Sequence, residues 1–298
     1  MRRLGRSSSS SAAPPAAARG RAPAVAALAF AAALAASGCA ATGVDPGRAQ
    51  SENLKATDLA AALWQDGEDL KTFAMRGEAT YKSGNNTNFF RFELICERPG
   101  SFLFTAFDPF GSPVFKIASS RGALNALDYS GKAYYAGSAG GGALGLLVPL
   151  PLSPEELLAS LSGSLPFRPS RAEAATQFPE GEGDASFVAY PEGSGSPLRV
   201  QAAGGAPWDS ASGKTLRRVS AGPVNSPDFQ VRYGSWEPFP RDDRGGAARL
   251  FPRTVSASWR GNGEHSLDVS YREVSLGFTP PEGVFGLERP QGYSYEEL

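Results

Sequence analysis

The sequence predicts a mainly β protein with a minor α content, built on one antiparallel sheet of about eleven strands with two helical pieces set into it. Three observations carry this reading. From residue 72 onward, apolar and polar residues alternate with a period of two over long stretches. The 35 Gly and 24 Pro among 298 residues break those stretches into strand lengths and argue against a helical bundle. Apolar residues at helical spacing occur in two short regions.

In chain order, residues 40–55 lack any apolar period and read as a flexible tether, placed at 39–56. Thr57-Asp58, residue types that cap helices, then precede Leu59, Ala60, Leu63, Trp64 and Leu70, predicting a helix over 57–71. Phe73, Met75, Gly77, Ala79 and Tyr81 form one face of a strand, and after the Ser83-Gly84-Asn85-Asn86 turn Phe90, Phe92, Leu94 and Cys96 form one face of the next. Strands over 101–108, 114–119, 123–128 and 132–136 continue a meander, its turns marked by Pro99-Gly100 and by 108–112. Ser153 followed by Pro154 starts a short helix to Leu161. Residues 163–185 read as an irregular excursion, strands return at 185–190, 198–202, 215–220, 229–236, 254–259 and 266–271, and 280–298 reads as turns.

The first 38 residues read as a leader. Arg2, Arg3, Arg6, Arg19 and Arg21 stand without an acidic residue ahead of the apolar run 22–37, which is too short to span a bilayer comfortably. The run ends Leu34-Ala35-Ala36-Ser37-Gly38-Cys39, which is similar to the lipobox of bacterial lipoproteins, with Ala36 where Leu is usual. That resemblance implies cleavage before Cys39 and acylation of Cys39, with several acyl chains holding the protein on a membrane where one alone would hold poorly. Ala40, not Asp, follows the cysteine, which favours the outer membrane. Loss of five arginines and no acid takes the formal charge from −1 to −6, so attraction to anionic lipid is not what holds the body there.

Composition excludes several function classes. Balanced charge removes the footprint of a nucleic-acid binder. One His and two Cys cannot build a multi-His or thiolate metal site, and no cofactor is expected. Cys96, among Phe92, Leu94 and Ile95, reads as a buried inert thiol. Gly140-Gly141-Gly142-Ala143-Leu144-Gly145 fits a dinucleotide fingerprint only formally, since Pro149 forbids the helix that should follow. Gly213-Lys214-Thr215 lacks the first glycine of a P-loop, Trp208 standing there, and there is no Gly-x-Ser-x-Gly elbow. His265, beside a hairpin turn, and Asp242-Asp243, in an Arg-rich loop, read as solvated.

A strongly curved sheet cannot bury a whole apolar face against itself. That face is assigned to Phe73, Met75, Phe90, Phe92, Leu94, Phe102, Phe104, Phe115, Ile117, Val231, Tyr233, Val255, Trp259, Leu267 and Val269. Either it forms an ordinary packed barrel or sandwich core, or it lines a partly open cavity suited to acyl chains.

The order of motifs resembles the LolB family of outer-membrane lipoprotein receptors over about residues 57–290. It comprises the anchoring cysteine, the amphipathic helix, Asp108-Pro109-Phe110-Gly111-Ser112 at a strand turn and Pro149-Leu150-Pro151-Leu152 before the short helix. After that helix come Leu161-Ser162-Gly163-Ser164-Leu165-Pro166, Val231-Arg232-Tyr233, Phe251-Pro252 and the closing Phe285-Gly286-Leu287-Glu288-Arg289-Pro290. The resemblance implies an open half-barrel capped by helices, with residues 291–298 as a tail. It also implies a hydrophobic cavity that takes lipoprotein acyl chains from a periplasmic LolA-like carrier, and a monomer lipid-anchored on the periplasmic face of the outer membrane, with no enzymatic activity. Phe110, between Pro109 and Gly111, matches the position of an exposed loop leucine that helps push cargo into the bilayer. An assembly or structural lipoprotein of the same fold with another apolar client, and a surface hydrolase, are the competing readings.

Overall fold

The computed structural model describes residues 46–139, 152–175, 184–193, 196–203, 214–223, 226–246, 248–261 and 263–298. Cys39, the leader and the Gly140–Gly145 run lie outside the described residues. The described part forms one unit from Pro46 to Leu298. It is a curved, unclosed sheet of fourteen strands, the mainly β half-barrel expected, with more strands than predicted.

The chain forms helix α1 (Pro46–Glu68), then β1 (Thr72–Ser83), β2 (Asn86–Glu97), β3 (Ser101–Phe107), β4 (Pro113–Ser120), β5 (Ala123–Asp128) and β6 (Ala133–Ser138). Helix α2 (Pro154–Leu161) follows, then β7 (Pro169–Ala174), β8 (Ala185–Pro191), β9 (Leu198–Ala203), β10 (Thr215–Ala221), β11 (Phe229–Pro240), β12 (Ala248–Gly261), β13 (Gly263–Leu276) and β14 (Ser294–Glu297). The sheet reads β14-β6-β5-β4-β3-β2-β1-β13-β12-β11-β10-β9-β8-β7. Two meanders, β1 to β6 and β7 to β13, thus join where β1 pairs antiparallel with β13.

Three expectations about the bounds of elements are corrected. The first helix starts at Pro46, not at 57, so most of the expected tether is helical, and Thr57 is no cap. Instead the Thr57 hydroxyl lies 3.0 Å from the carbonyls of both Asn53 and Ala172 and accepts from the Ala172 N–H at 2.9 Å, while Asn53 Oδ1 accepts from the Ala174 N–H at 2.8 Å. Helix α1 therefore satisfies backbone groups that the edge strand β7 would otherwise leave unpaired. Second, the excursion expected over 163–185 contains β7. Third, the tail 291–298 supplies β14, which runs parallel to β6.

The expected start of α2 at Ser153-Pro154 is present, and Glu156 completes it as a capping box. Ser153 Oγ accepts from the Glu156 N–H at 3.2 Å and the Glu156 carboxylate accepts from the Ser153 N–H at 2.8 Å, with Pro154 in the first turn. Between β1 and β13 the register slips at Arg76/Gly77, and a Cβ on Gly77 would lie 2.2 Å from the Ser270 carbonyl oxygen. Only glycine fits that close backbone approach.

The C-terminus of α1 is held by three buried arginines. Arg98 pairs with Glu68 at 3.2 Å, Arg249 with Asp66 at 2.8 Å, and Arg241 donates to the Asp69 carbonyl at 2.9 Å and to both oxygens of Asp243. Cations there offset the negative end of the helix dipole. Asp243 is thus an ion-pair partner as well as a surface group, a correction to the solvated reading; its hydrogen bond with Arg241 holds that guanidinium's pKa up.

Candidate functional site

One face of the sheet carries the core, and directly paired residues continue it from strand to strand. One row is Phe73, Cys96, Phe102, Ser119 and Leu124, the next Met75, Leu94, Phe104, Ile117, Ala126 and Tyr135, and the next Gly77, Phe92, Ala106 and Phe115. The row nearest α2 is fully enclosed, with Phe73, Cys96 and Leu124 at 0% exposure. Towards the opposite end, the upper rim, enclosure is lost. Phe90, Phe104, Phe115 and Tyr135 on the first meander, and Leu267 on β13, are half-buried and pack against the core.

A chain of rings joins the two ends. Phe90 meets Phe104 edge-on at 6.2 Å, Phe104 stacks on Phe92 at 6.0 Å, and Phe92 meets Tyr271 at 6.2 Å. Tyr271 then meets Phe251 at 5.9 Å, and Phe251 meets Phe73 at 6.2 Å. At the closed end the Tyr271 hydroxyl donates to the Leu161 carbonyl at 2.9 Å, tying α2 to the sheet. Burial raises the pKa of that hydroxyl, which stays protonated and able to donate.

Of the residues assigned to the apolar face, Phe73, Met75, Phe92, Leu94, Phe102, Ile117, Val231, Tyr233, Val255 and Val269 are buried in this core. Phe90, Phe104, Phe115 and Leu267 form its half-open margin. Trp259 is buried beside the rim in a separate stack with His265, ring centroids 5.5 Å apart, and Tyr81, at 6.2 Å. His265 is therefore half-buried, not simply solvated, and its Nδ1 lies 3.0 Å from the Tyr81 hydroxyl. Tyr135, on the margin, was missed because 132–136 is too short to show which of two adjacent tyrosines points inward. Cys96 is buried as expected, and burial pushes its thiol pKa up.

The loop between β3 and β4 makes the second part of the site. Asp108 Oδ1 accepts from the Phe110 N–H at 2.9 Å and the Ser112 N–H at 2.8 Å, and the Asp108 N–H donates to the Ser112 carbonyl at 2.9 Å. Gly111 takes φ 89°, a conformation glycine tolerates. This bonding fixes the turn and leaves Phe110 94% exposed at its tip.

With that geometry in view, one likeness to a solved structure decides the architecture. A DUF1329 family protein from Desulfovibrio piger matches with TM-score 0.53 at 10% identity, over 78% of this chain and 97% of that one. The two share a fold. A putative outer membrane lipoprotein-sorting protein domain from Vibrio parahaemolyticus matches with TM-score 0.47 at 12% identity, covering 75% of this chain and 94% of that one. A LolA superfamily protein from Nitrosomonas europaea matches with TM-score 0.43 at 12% identity, covering 80% and 97%. No family model and no curated protein matches the chain.

Proposed function

We propose that the chain is a LolB-like outer-membrane lipoprotein, anchored through acylated Cys39, that takes lipoprotein acyl chains from a LolA-like carrier against the aromatic margin of its half-barrel and passes them into the bilayer. The observation that carries the reading is the half-buried arc of Phe90, Phe104, Phe115 and Tyr135 on the inner face of an unclosed sheet. Large apolar rings that the chain's own groups leave partly uncovered gain most from an apolar ligand. Each acyl methylene moved from water onto such a wall gains about 0.8 kcal/mol, so transfer needs no covalent step and runs toward the more apolar surface. Phe110, held outward by Asp108, has the form of a wedge that gains contact only in a bilayer, worth about 1.5–3 kcal/mol if fully buried there.

The test is a transfer assay with a fluorescent triacylated lipopeptide. Phe110→Glu is expected to leave lipopeptide binding within about twofold of the parent while cutting delivery to vesicles about tenfold or more. Unchanged delivery refutes the role of the loop, and absence of lipopeptide binding by the parent protein refutes the receptor reading in favour of a structural lipoprotein.

A further inference from the structure

We propose that the chain rests on a phospholipid bilayer through a footprint of three residues, Phe110 and Phe89 entering the apolar layer and Arg91 holding a lipid phosphate. The inference builds on the delivery role of the Phe110 loop and adds two residues from the neighbouring strand. Phe89 is 52% exposed, one of four large exposed apolar side chains among the described residues. It lies on the outer side of β2, the face opposite Phe90 and Phe92. Arg91 pairs in register with Phe107, so Phe89, two residues nearer the rim, stands level with Pro109 at the base of the Phe110 turn. The two exposed phenylalanines thus share one corner of the molecule.

Arg91 and Gly111 line the same shallow hollow, of about 320 Å³, on the outer face of the sheet. The other two arginines of that hollow are paired: Arg76 with Glu93 at 2.8 Å and Glu273 at 3.3 Å, and Arg272 with Glu78. Arg91 is exposed and makes no ion pair among the described residues. Asp108, the acid nearest the tip, has one carboxylate oxygen turned onto the loop's own N–H groups. Glu78 stands opposite Arg91 in the β1–β2 register but is engaged by Arg272, so the exposed Arg91 guanidinium is left able to bind a phosphate with two parallel hydrogen bonds.

Strand geometry sets the depths. Residues two apart on one face are separated by roughly 7 Å along a strand, so when the rim meets a bilayer Phe89 lies about that much deeper than Arg91. That is the offset between the outer acyl region and the phosphate layer into which interfacial apolar groups sink, about 5–10 Å. A bilayer, layered into a phosphate zone above an acyl zone, matches this graded order of cation and ring.

The test uses the full chain reconstituted in vesicles of phosphatidylethanolamine and phosphatidylglycerol. It carries a polarity-sensitive fluorophore at Phe89→Cys, at Phe110→Cys or, as a control at the end of β12 away from the rim, at Leu250→Cys; Cys39, acylated in the anchored chain, and the buried Cys96 do not compete for label. Blue-shifted emission and quenching by nitroxide lipids are expected at 89 and 110 and not at 250, and adding Arg91→Glu is expected to halve quenching at 89 or more. A probe at 89 that reports water while that at 110 is quenched overturns the footprint and leaves the delivery reading standing. If both report water while lipopeptide binding persists, the loop's role falls as well. A blue shift at 89 that needs an added carrier protein assigns this face to a protein partner and overturns the proposal.

Discussion

The two meanders of the sheet spend their inner faces differently. On the second, Ala185, Phe187, Ala189, Val200, Ala202, Leu216, Val219 and Val231 are all between 0 and 2% exposed. The side chains are mostly small, and α1 packs along β7 and β8 with Ala56, Leu59, Ala60 and Leu63 in the shared core. On the first, the corresponding positions towards the rim are Phe90, Phe104, Phe115 and Tyr135, large rings left half-buried. The start of the second meander, β7 and β8, is covered by the chain's own helix, whereas the first meander towards the rim, with Leu267 of β13 beside it, leaves apolar rings half-buried.

This contrast can be broken first by truncation. Phe187→Ala, in the closed half, is expected to cost about 3–5 kcal/mol in urea unfolding, the range for deleting an enclosed ring. Phe104→Ala, in the open half, is expected to cost less than about 2 kcal/mol because part of the ring is already in water, yet to weaken lipopeptide binding about tenfold. Equal stability losses would mean that the two halves are packed alike. The helix that covers the start of the second meander is tested by Asn53→Ala combined with Thr57→Ala, which removes the bonds to Ala172 and Ala174. The pair is expected to cost about 1–3 kcal/mol and to speed amide exchange at those two residues before it affects β2 or β3. The smallest effect concerns Cys96. With its pKa raised by burial, the thiol is expected to show no reaction with a disulfide reagent at pH 8 until denaturant is added. Reaction in the native protein would mean that the base of the first meander opens.

Much of this was legible in the sequence because it is written in local patterns. The period of two from Phe73 to Cys96 located β1 and β2, and Ser153-Pro154 located the start of α2. What was not legible depends on distant partners. Residues 46–56 have no apolar stripe, and α1 extends through them while Asn53 and Thr57 reach a strand more than a hundred residues away. Ser294–Glu297 has no strand-like alternation, yet it pairs with β6, where Tyr295 meets Tyr134 at 6.2 Å. The candidate site was half legible. Alternation named the inner face, but which of its rings are enclosed and which are left open depends on where the helix lies, and no periodicity carries that.

The most direct measurement places a photoactivatable phenylalanine at Phe104, Phe115 or Phe187 and exposes the protein to a triacylated lipopeptide. Crosslinks to the acyl chains are expected from positions 104 and 115 and none from 187. Crosslinking from all three, or from 187 alone, would contradict it.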